Sequence, residues 1–373
     1  MKIETYGKFW QRIHNSARKS GLLLRVMFEL TYRCNFKCKH CYVPQGFKKK
    51  SRQELTTEEV IYVLDQLADI GCFYLGFTGG EPFLREDIFD ILWHAKKKGF
   101  QIIIYTNGSL IDEDKAQRLQ RLSPNKVDIT IPAMSKDIFE RITGLKGSRD
   151  KVFEAIKLLD KKEISLGFKT CVLKGNEFEI KKIKDFSNRL GAFHRLDDML
   201  MPRLDGSEEP YRYRAEIERV TSAPALQRSR KADFRECGVT DNGELFKCGV
   251  GQSQAAITPY GELKMCLMID YPRYRILERR VASAPVPPKA DPPAAGPQSP
   301  RKKGGLDKAW RKLKGLVAGI KPDNNYQCDN CGLSNYCNWC PAKSWLHNKS
   351  FTSCDSEIRY QAEQGRGEYE YRG

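Results

Sequence analysis

Three cysteines in one short segment are the strongest chemical feature of the sequence. Cys34, Cys38 and Cys41 have the spacing C-x3-C-x2-C, and Tyr42 follows directly. Thiolates at this spacing can hold one iron-sulfur cubane and leave its fourth iron without a protein ligand. Such an open iron is a position where a substrate or a cofactor can bind. The alternative is a structural zinc site that takes its remaining ligand from elsewhere in the chain.

The segment Gly79-Gly80-Glu81-Pro82 is the second feature. Two adjacent glycines let the backbone approach a ligand closely, and the carboxylate of Glu81 can pair with an ammonium group. Alone, the segment would be a weak turn motif. It becomes informative because it follows the three cysteines by one strand and one helix.

The chain contains thirteen cysteines but only five histidines, which favours sulfur over imidazole as the metal ligand. Disulfides rarely persist in a reducing compartment, so most of the thiols are expected to hold metal. A zinc ribbon is the alternative for the two C-x2-C pairs near the C-terminus. Eight of the cysteines lie in the second half of the chain: Cys237, Cys248, Cys266, Cys328, Cys331, Cys337, Cys340 and Cys354.

The length and charge of the chain limit the classes of protein to which it can belong. The chain has 373 residues and a formal net charge of +17, and this length suits two or three domains of about 100–200 residues. No stretch approaches the ~18 apolar residues of a membrane span, and residues 1–16 lack the apolar core of a secretory signal peptide. We therefore expect a cytoplasmic protein with no membrane partner. Since the basic residues are spread along the chain, nucleic acid is not the expected partner.

Apolar strands alternate with helical patterns from residue 25 to residue 202, which predicts βαβ units around a parallel sheet. The predicted strands are Val26–Thr31, Phe73–Thr78, Gln101–Tyr105, Val127–Ile131, Ser165–Val172 and His194–Met201. The predicted helices are one that a Thr57 cap opens, Glu86–Lys98, Asp112–Leu122, Arg149–Lys161 and Glu177–Leu190. Six such units make a partial (β/α)6 TIM-like barrel or an open sheet, with active-site loops at the carboxyl ends of the strands.

The regular alternation stops after Pro202 and suggests a division of the chain. Seven prolines between 282 and 305 form a Pro-rich insert with too little apolar surface to fold. Leu306, Trp310, Leu313 and Val317 share one helical face, which favours a helix packed on its domain over a partner-binding or membrane-surface helix. The predicted parts are an N-terminal extension (1–24), the barrel (25–202), a connecting segment (203–236) and a small cysteine-rich α+β domain (237–373).

With these motifs in this order, the sequence resembles the radical S-adenosylmethionine (radical SAM) superfamily. The resemblance implies that Cys34, Cys38 and Cys41 hold a 4Fe-4S cluster whose open iron is chelated by the amino and carboxylate groups of SAM. It also implies that the Gly79-Gly80-Glu81-Pro82 segment contacts the amino group of SAM. In this family the reduced cluster cleaves SAM, and the resulting 5′-deoxyadenosyl radical abstracts a hydrogen atom from the substrate.

Further positions are similar to those near SAM or substrate in the family. Thr106 and Asn107, with the glycine after them, end the third predicted strand like the TNG of relatives, although an ordinary Asn-Gly turn has the same sequence. Thr130 lies on the fourth strand, where many members have a serine for the ribose. Cys171, toward the end of the fifth strand, is a candidate hydrogen-atom donor of the kind used by radical epimerases, and a buried apolar thiol is the alternative.

The cysteines of the second half resemble the SPASM domain, an extension of radical SAM enzymes that binds auxiliary iron-sulfur clusters. The resemblance implies two auxiliary 4Fe-4S clusters, and therefore three clusters in all. The implied ligands are Cys328, Cys331, Cys337 and Cys354 for one cluster, and Cys248, Cys266, Cys340 and the candidate Cys237 for the other.

Radical SAM proteins with a SPASM extension mostly modify peptides and proteins. The resemblance therefore implies a maturase that crosslinks, epimerises or oxidises a ribosomally made peptide or protein. The expected partners are the precursor peptide and an electron donor such as flavodoxin or ferredoxin. Because the 1–24 extension is too short for a recognition domain, a leader peptide would be bound by a separate protein or by the SPASM surface. Two alternatives stay open: a small-molecule enzyme such as a haem-precursor decarboxylase, and an electron-transfer protein that never cleaves SAM.

Overall fold

The computed structural model describes residues 6–48, 53–197, 200–215, 245–246, 248–277, 305–337, 339–354, 356, 358–360 and 362–363. Its α-helices are α1 (Tyr6–Ser20), α2 (Thr57–Asp69), α3 (Ile88–Lys97), α4 (Glu113–Leu122), α5 (Lys136–Thr143), α6 (Ser148–Lys161), α7 (Ile180–Arg189), α8 (Gly305–Gly319) and α9 (Pro341–Asn348). Its strands are β1 (Arg25–Thr31), β2 (Tyr74–Gly79), β3 (Gln101–Thr106), β4 (Lys126–Thr130), β5 (Leu166–Cys171), β6 (Phe193–Asp197), β7 (Gln254–Ile257), β8 (Glu262–Lys264) and β9 (Arg273–Arg275).

All of these strands belong to one sheet in the order β6-β5-β4-β3-β2-β1-β7-β8-β9. Strands β1 to β6 pair in parallel with their sequence neighbours, and β7 pairs in parallel with β1. Strands β8 and β9 are antiparallel additions at the other side of β7. Within the described residues β6 and β9 do not pair with each other, so the sheet does not close. The predicted α/β class and partial barrel are confirmed.

The main apolar core lies between the sheet and its covering helices. Parallel strands covered on both faces are expected to be apolar along most of their length, and in β1 Phe28 is fully buried. Its ring stacks on Phe77 of β2, with the ring centroids 6.4 Å apart. Helix α2 adds Val63 and Leu67, which lie one helical turn apart on its buried face. Burial of each such side chain contributes about 1.5–3 kcal/mol.

Helix α2 begins with a capping box, one residue earlier than the sequence indicates. The hydroxyl of Thr56 accepts from the backbone N–H of Glu59, and the Glu59 carboxylate accepts from the N–H of Thr56. Thr57 is therefore not the cap. Its hydroxyl instead donates to Asp87, just before α3, at 2.6 Å. This bond ties two neighbouring barrel helices together at the end of the barrel that carries the site.

Three helices were not predicted, namely α1, α5 and α9. Helix α1 lies within the extension over residues 1–24, and its Trp10 ring meets Tyr74 at the start of β2 with centroids 4.4 Å apart. Helix α5 has only eight residues, and its apolar positions are too few to give a clear period. It buries Phe139 completely and ends beside the loop that carries the first three cysteines.

The C-terminal part of the chain continues the sheet of the barrel through β7 to β9. Helix α8 buries Leu306, Trp310, Leu313 and Val317, so the predicted packed helix is confirmed. The Trp310 indole donates to the carbonyl oxygen of Gly21, just after α1, at 3.0 Å. Apart from Gly305, the Pro-rich insert at 282–305 lies outside the described residues, as does most of the connecting segment. No helix in the described part of the chain is long and apolar enough to cross a membrane.

Candidate functional site

A cavity of about 420 Å³ lies at the carboxyl ends of β1 to β6. Its volume is typical of small-molecule sites, which range from about 300 to 1,000 Å³, and its position is the one where parallel α/β barrels carry their active sites. Each of the six parallel strands, or the loop that follows it, contributes to the lining: Cys34, Cys38, Cys41 and Tyr42 after β1, Thr78, Gly79 and Gly80 from β2, Thr106 and Asn107 from β3, Thr130 from β4, Lys169 and Cys171 from β5, and Arg195 and Asp197 from β6.

The loop after β1 brings Cys34, Cys38 and Cys41 to one wall of this cavity. Backbone hydrogen bonds set its shape: the N–H of Phe36 donates to the Cys34 sulfur at 3.4 Å, and the N–H of Cys41 donates to the Cys38 carbonyl at 3.3 Å. The structure therefore gathers the three cysteines that the sequence singles out.

The end of helix α5 holds the same loop from the other side. The Thr143 and Ile142 carbonyls accept from the N–H groups of Lys37 and Lys39, at 2.8 and 3.3 Å. These carbonyls belong to the last turn of the helix, which has no helical partners for them. The loop thus satisfies the helix end, and the helix end fixes the loop.

Burial disfavours the ionised form of two of these thiols, Cys34 and Cys38. Burial raises the pKa of Cys34 to about 11. Burial also raises the pKa of Cys38, and the neighbouring Cys41 and Cys34 add to that effect. Thiolates are the metal-binding form, so a positively charged iron centre would provide the charge that they lack here. Three thiols on one wall fit a 4Fe-4S cluster whose fourth iron takes its ligand from elsewhere.

No group of three or more Cys, His, Asp or Glu side chains in the described ranges is arranged to hold a single metal ion. A single zinc ion needs its ligands within about 2.0–2.3 Å of one point. A cubane is different, because each cysteine binds a different iron at a different corner.

Gly79 and Gly80 cross directly over the backbone that leads into the cysteine loop. The N–H of Gly80 donates to the Thr31 carbonyl at 2.7 Å. A Cβ atom on Gly79, whose φ is +131°, would lie 2.1 Å from the Thr31 oxygen, and one on Gly80 would lie 2.1 Å from the Arg33 oxygen. Only glycine permits this approach. It places two side-chain-free backbone units in the cavity wall next to the cysteines.

Glu81 and Pro82 are buried and do not line the cavity. The Glu81 carboxylate accepts from the Thr106 hydroxyl and the Asn107 N–H, both at 2.7 Å, and from the Phe83 N–H at 3.2 Å. Burial raises the pKa of Glu81 to about 7, although these hydrogen bonds oppose the rise. The sequence suggests that this carboxylate can pair with a ligand ammonium group. In the structure it joins the end of β2 to the end of β3.

Asn107 links the third strand to the cysteine loop. Its side-chain amide donates to the Asn35 side-chain oxygen at 2.8 Å, and the same nitrogen lies 4.0 Å from the Cys34 sulfur. Gly108 has a φ of +78°, as a turn residue does. The segment is therefore an Asn-Gly turn that also faces the cavity. Thr106 and Thr130 line the cavity as well, and the contact of each with SAM stays a prediction.

A charged group to which the sequence assigned no role lies at the ends of β5 and β6. The Lys169 ammonium binds the Asp197 carboxylate at 2.9 Å, and the Arg195 guanidinium lies 3.8 Å from it. Burial lowers the pKa of Lys169, but the nearby Cys171 and Asp197 outweigh it and raise the pKa overall. No spacing in the sequence signals this pair, because its members come from two different strands.

Cys171 lines the cavity beside Lys169. Burial raises the pKa of its thiol to about 11, while Lys169 opposes the rise. The thiol is therefore protonated near neutral pH. It lies close enough to Cys41 and Cys38 for a charge on one of these sulfur atoms to affect the others. This is the state that a hydrogen-atom donor requires, although the role itself stays a prediction.

The C-terminal cysteines form two separate groups. One group lines a second cavity, of about 830 Å³, together with Trp339 and Tyr326; its members are Cys328, Cys331, Cys337 and Cys354. The other consists of Cys248, Cys266 and Cys340. Burial raises the pKa of Cys266 to about 12, and the nearby Cys340 and Cys248 add to the rise. Cys237 lies outside the described residues. These groups coincide with the two ligand sets that the resemblance implies, and their iron binding stays a prediction.

The fold and the thiol-lined cavity together define a class of protein. Residues 28–186 match the model of the radical SAM superfamily, so this part of the chain is a radical SAM domain.

Two relatives that match in sequence have names of different kinds. The chain is 32% identical over 160 residues to Fe-coproporphyrin III synthase of Methanosarcina barkeri, which covers 43% of this chain and 40% of that protein. It is 27% identical over 167 residues to PqqA peptide cyclase of Granulibacter bethesdensis, covering 45% and 44%. The chain thus spans about half the length of the relatives that it matches in sequence.

Solved structures show the same fold over nearly the whole chain. Streptococcus suis SuiB bound to S-adenosylmethionine has a TM-score of 0.67 at 14% identity, covering 96% of this chain and 84% of that one. SuiB bound to precursor peptide SuiA has a TM-score of 0.66, covering 96% and 82%. The likeness includes the cysteine-rich part as well as the barrel.

Proposed function

We propose that this protein is a radical SAM peptide maturase, an enzyme that modifies a ribosomally made peptide or protein. The observation that carries the proposal is the gathering of Cys34, Cys38 and Cys41 on one cavity wall next to the backbone of Gly79 and Gly80. A 4Fe-4S cluster bound there would supply reductive cleavage of SAM to a 5′-deoxyadenosyl radical that takes hydrogen from the substrate.

The residues around the thiols suit a bound SAM molecule. The backbone of Gly79 and Gly80 accepts close approach by the methionine part, because no side chain intervenes. Thr106, Asn107 and Thr130 add hydroxyl and amide groups that can bond the polar atoms of the nucleoside. Glu81 acts indirectly, since its carboxylate holds Thr106 and Asn107 in place.

The far side of the cavity suits the substrate. Arg195 is exposed and carries a cation that can bind a carboxylate. Lys169 and Asp197 neutralise each other as an ion pair. We propose Cys171 as the donor that returns a hydrogen atom to the substrate if the reaction is an epimerisation.

We propose that the two C-terminal cysteine groups hold auxiliary 4Fe-4S clusters, whose chemistry is one-electron transfer. The group of four would bind its cluster completely. The group of Cys248, Cys266 and Cys340 would be completed by Cys237. An external donor, such as flavodoxin or ferredoxin, would supply the reducing electron. A reducing compartment keeps these thiols available to iron, so we propose a cytoplasmic location.

Two comparisons support a peptide substrate. One relative is named as a peptide cyclase, and the structure of SuiB that shares this fold has a precursor peptide bound. We therefore propose a precursor peptide as the partner, bound with the help of a separate leader-recognition protein or of the cysteine-rich part itself.

A haem precursor is the second candidate substrate. The observation that favours it is the 29% identity over 201 residues to AdoMet-dependent heme synthase of Methanosarcina barkeri. The cavity does not separate the two candidates by charge, because Arg195 can bind a propionate as well as an acidic peptide side chain.

The test uses protein reconstituted with iron and sulfide without oxygen, reduced, and supplied with SAM. Formation of 5′-deoxyadenosine that is absent from Cys38→Ala supports a radical SAM enzyme, and its absence from both proteins leaves an electron-transfer protein. Mass spectrometry then follows candidate precursor peptides co-expressed with the enzyme, in parallel with iron-coproporphyrin incubated with it. A mass change of a peptide supports the maturase, and loss of carboxyl groups from the porphyrin alone contradicts it.

A further inference from the structure

The strongest unexplained feature of the molecule is a charged pair inside its core. The Lys264 ammonium of β8 lies 2.9 Å from the Glu29 carboxylate of β1, and both side chains are completely buried. They come from strands that do not pair directly, since β7 lies between β1 and β8. The pair therefore spans the sheet from the barrel to the cysteine-rich part.

Every polar atom of the pair is used. The Glu29 carboxylate also accepts from the Tyr32 and Tyr42 hydroxyls, each at 2.9 Å. The Lys264 ammonium also donates to the Leu267 carbonyl oxygen at 3.2 Å. These groups form one continuous hydrogen-bonded network that we name the Glu29–Lys264 network.

The network connects the surroundings of two predicted cluster sites. Tyr32 comes two residues before Cys34, and Tyr42 comes directly after Cys41. Lys264 comes two residues before Cys266, and Leu267 directly follows it. Tyr42 and Leu267 both line the main cavity. One end of the network therefore holds the first cysteine loop, and the other end holds the turn that carries Cys266.

Stability alone does not account for such a pair. The cost of removing two charges from water is several kcal/mol per ion, and apolar residues of similar volume often stabilise a core equally well. Removal of only one partner is strongly destabilising, because it leaves a buried charge without compensation. Two fixed charges next to two redox sites do have a consequence that apolar residues lack, since they set the local potential. The Lys264 ammonium donates to the carbonyl oxygen of Leu267, the residue after Cys266, so the positive end of the pair faces the Cys266 turn.

We propose that the Glu29–Lys264 network is a positioning device that fixes the Cys34–Cys41 loop against the Cys266 turn and turns the positive end of the ion pair toward the cluster at Cys266. Both residues act through the cysteine loops, so they are positioning residues. The inference rests on the proposed function in one respect, namely that both cysteine groups bind iron-sulfur clusters. Lys264, as the positive end of the pair, would stabilise the reduced, more negative cluster there and so raise its reduction potential.

The test compares Glu29→Gln, Lys264→Met and the double variant. Each single variant leaves one unpaired charged side chain, so we expect lower unfolding temperatures. The double variant removes both charges at nearly constant volume, so we expect it to fold and to retain its iron. Its cluster at Cys266 should have a lower reduction potential than that of the unchanged protein, measured by redox titration followed by electron paramagnetic resonance. A Cys38→Ala background removes the signal of the first cluster from every sample.

Glu179 provides a matched control. Its side chain is also completely buried, and it also accepts from two protein donors, the N–H groups of Met134 and Ser135, and from a lysine, Lys182. It lies at the start of α7 and lines neither cysteine cavity. Glu179→Gln and Lys182→Met should leave the potential unchanged.

The outcomes separate this inference from the proposed function. A wild-type preparation without iron-sulfur signals would overturn the proposed function, and the inference with it. If the signals are present, an unchanged potential in the double variant overturns the inference alone. The inference also fails if the double variant does not fold, or if the Glu179 control shifts the potential equally. A lowered potential in the double variant, with the control unchanged, supports it.

Discussion

The two cysteine-lined cavities of this protein differ in what surrounds the sulfur atoms. The barrel cavity has three thiols of one loop, side-chain-free backbone at Gly79 and Gly80, and polar groups from every parallel strand. The second cavity has four thiols beside Trp339 and Tyr326, and lies in short turns outside the sheet. A cubane held by four cysteines has all its irons bound by protein, whereas one held by three needs another ligand. The difference supports the proposal that the barrel cavity binds SAM and substrate and that the second cavity holds an electron-transfer cluster.

Removal of one thiol from each cavity should give the largest difference between the two cavities, measured as SAM cleavage. Cys38→Ala should abolish 5′-deoxyadenosine formation. The loss should exceed the ~10–100-fold that is typical when a residue hydrogen-bonded to a metal ligand is replaced. Cys331→Ala should lose the iron of one cluster and still cleave SAM. Product chromatography and iron analysis measure both effects. If SAM cleavage is lost equally in the two variants, the distinction between the cavities is wrong.

A methyl group at Gly80 tests the backbone wall of the barrel cavity. Gly80→Ala puts a Cβ atom 2.1 Å from the Arg33 carbonyl oxygen, and such backbone overlap should cost at least about 3 kcal/mol of unfolding free energy. SAM affinity should fall as well, because the wall must move. Gly315→Ala is the control: Gly315 lies in α8 with nothing near its Cβ position, so alanine should add about 0.5–1 kcal/mol. Denaturant unfolding and equilibrium dialysis with SAM test both, and equal stability of the two variants would contradict the account.

The buried carboxyl of Glu81, which joins the ends of β2 and β3 beside the barrel cavity, should make the stability of the protein depend on pH. Its pKa is raised from 4.5 to about 7, so the native protein keeps a proton that the unfolded chain has already lost. The stabilising contribution is complete below about pH 4.5 and is lost as the pH rises to about 7, by roughly 3 kcal/mol. Glu81→Gln should remove this dependence.

Unfolding temperatures of Glu81→Gln and the unchanged protein, recorded across this pH range, measure the effect. Glu179 is a useful comparison, since its lysine partner and backbone donors outweigh burial and lower its pKa. Its contribution to stability is therefore present above the unfolded pKa and lost as the pH falls. Parallel pH curves for Glu81→Gln and the unchanged protein would show that Glu81 is not the responsible group.

Cys171 gives the smallest expected effect on SAM cleavage. Cys171→Ala touches neither the first cysteine loop nor Gly79 and Gly80, so the cleavage rate should change by less than about tenfold. If the reaction is an epimerisation in D₂O, however, deuterium incorporation into the product should be lost. Cys72→Ala, which removes a buried thiol outside the cavity, should retain it. Retention of deuterium by Cys171→Ala would show that hydrogen comes from another residue.

The sequence predicted the barrel better than the connections within it. Buried parallel strands have continuous apolar runs, so β1 to β5 were placed within about two residues. The last strand was predicted as His194–Met201; the structure gives Phe193–Asp197, and residues 198 and 199 lie outside the described residues. Helix α5 was missed because eight residues give too short a period, and the α2 cap was misplaced because two threonines stand side by side.

The cysteines of the site could be found from spacing, because ligands within one loop are close in sequence. The Lys169–Asp197 pair could not, since its members come from different strands and meet only through the sheet. The same holds for Glu29 and Lys264. The role of Glu81 was unpredictable for another reason: a carboxylate next to two glycines suits a ligand or a neighbouring loop equally well, and only its burial decides.

Electron paramagnetic resonance of the reduced protein before and after addition of SAM tests the central claim most directly. In a Cys331→Ala background, which simplifies the spectrum, SAM should change the signal of the cluster at Cys34, Cys38 and Cys41. SAM labelled with ¹⁷O in its carboxylate should broaden that signal. A reduced cluster whose signal is identical with and without SAM would contradict the account.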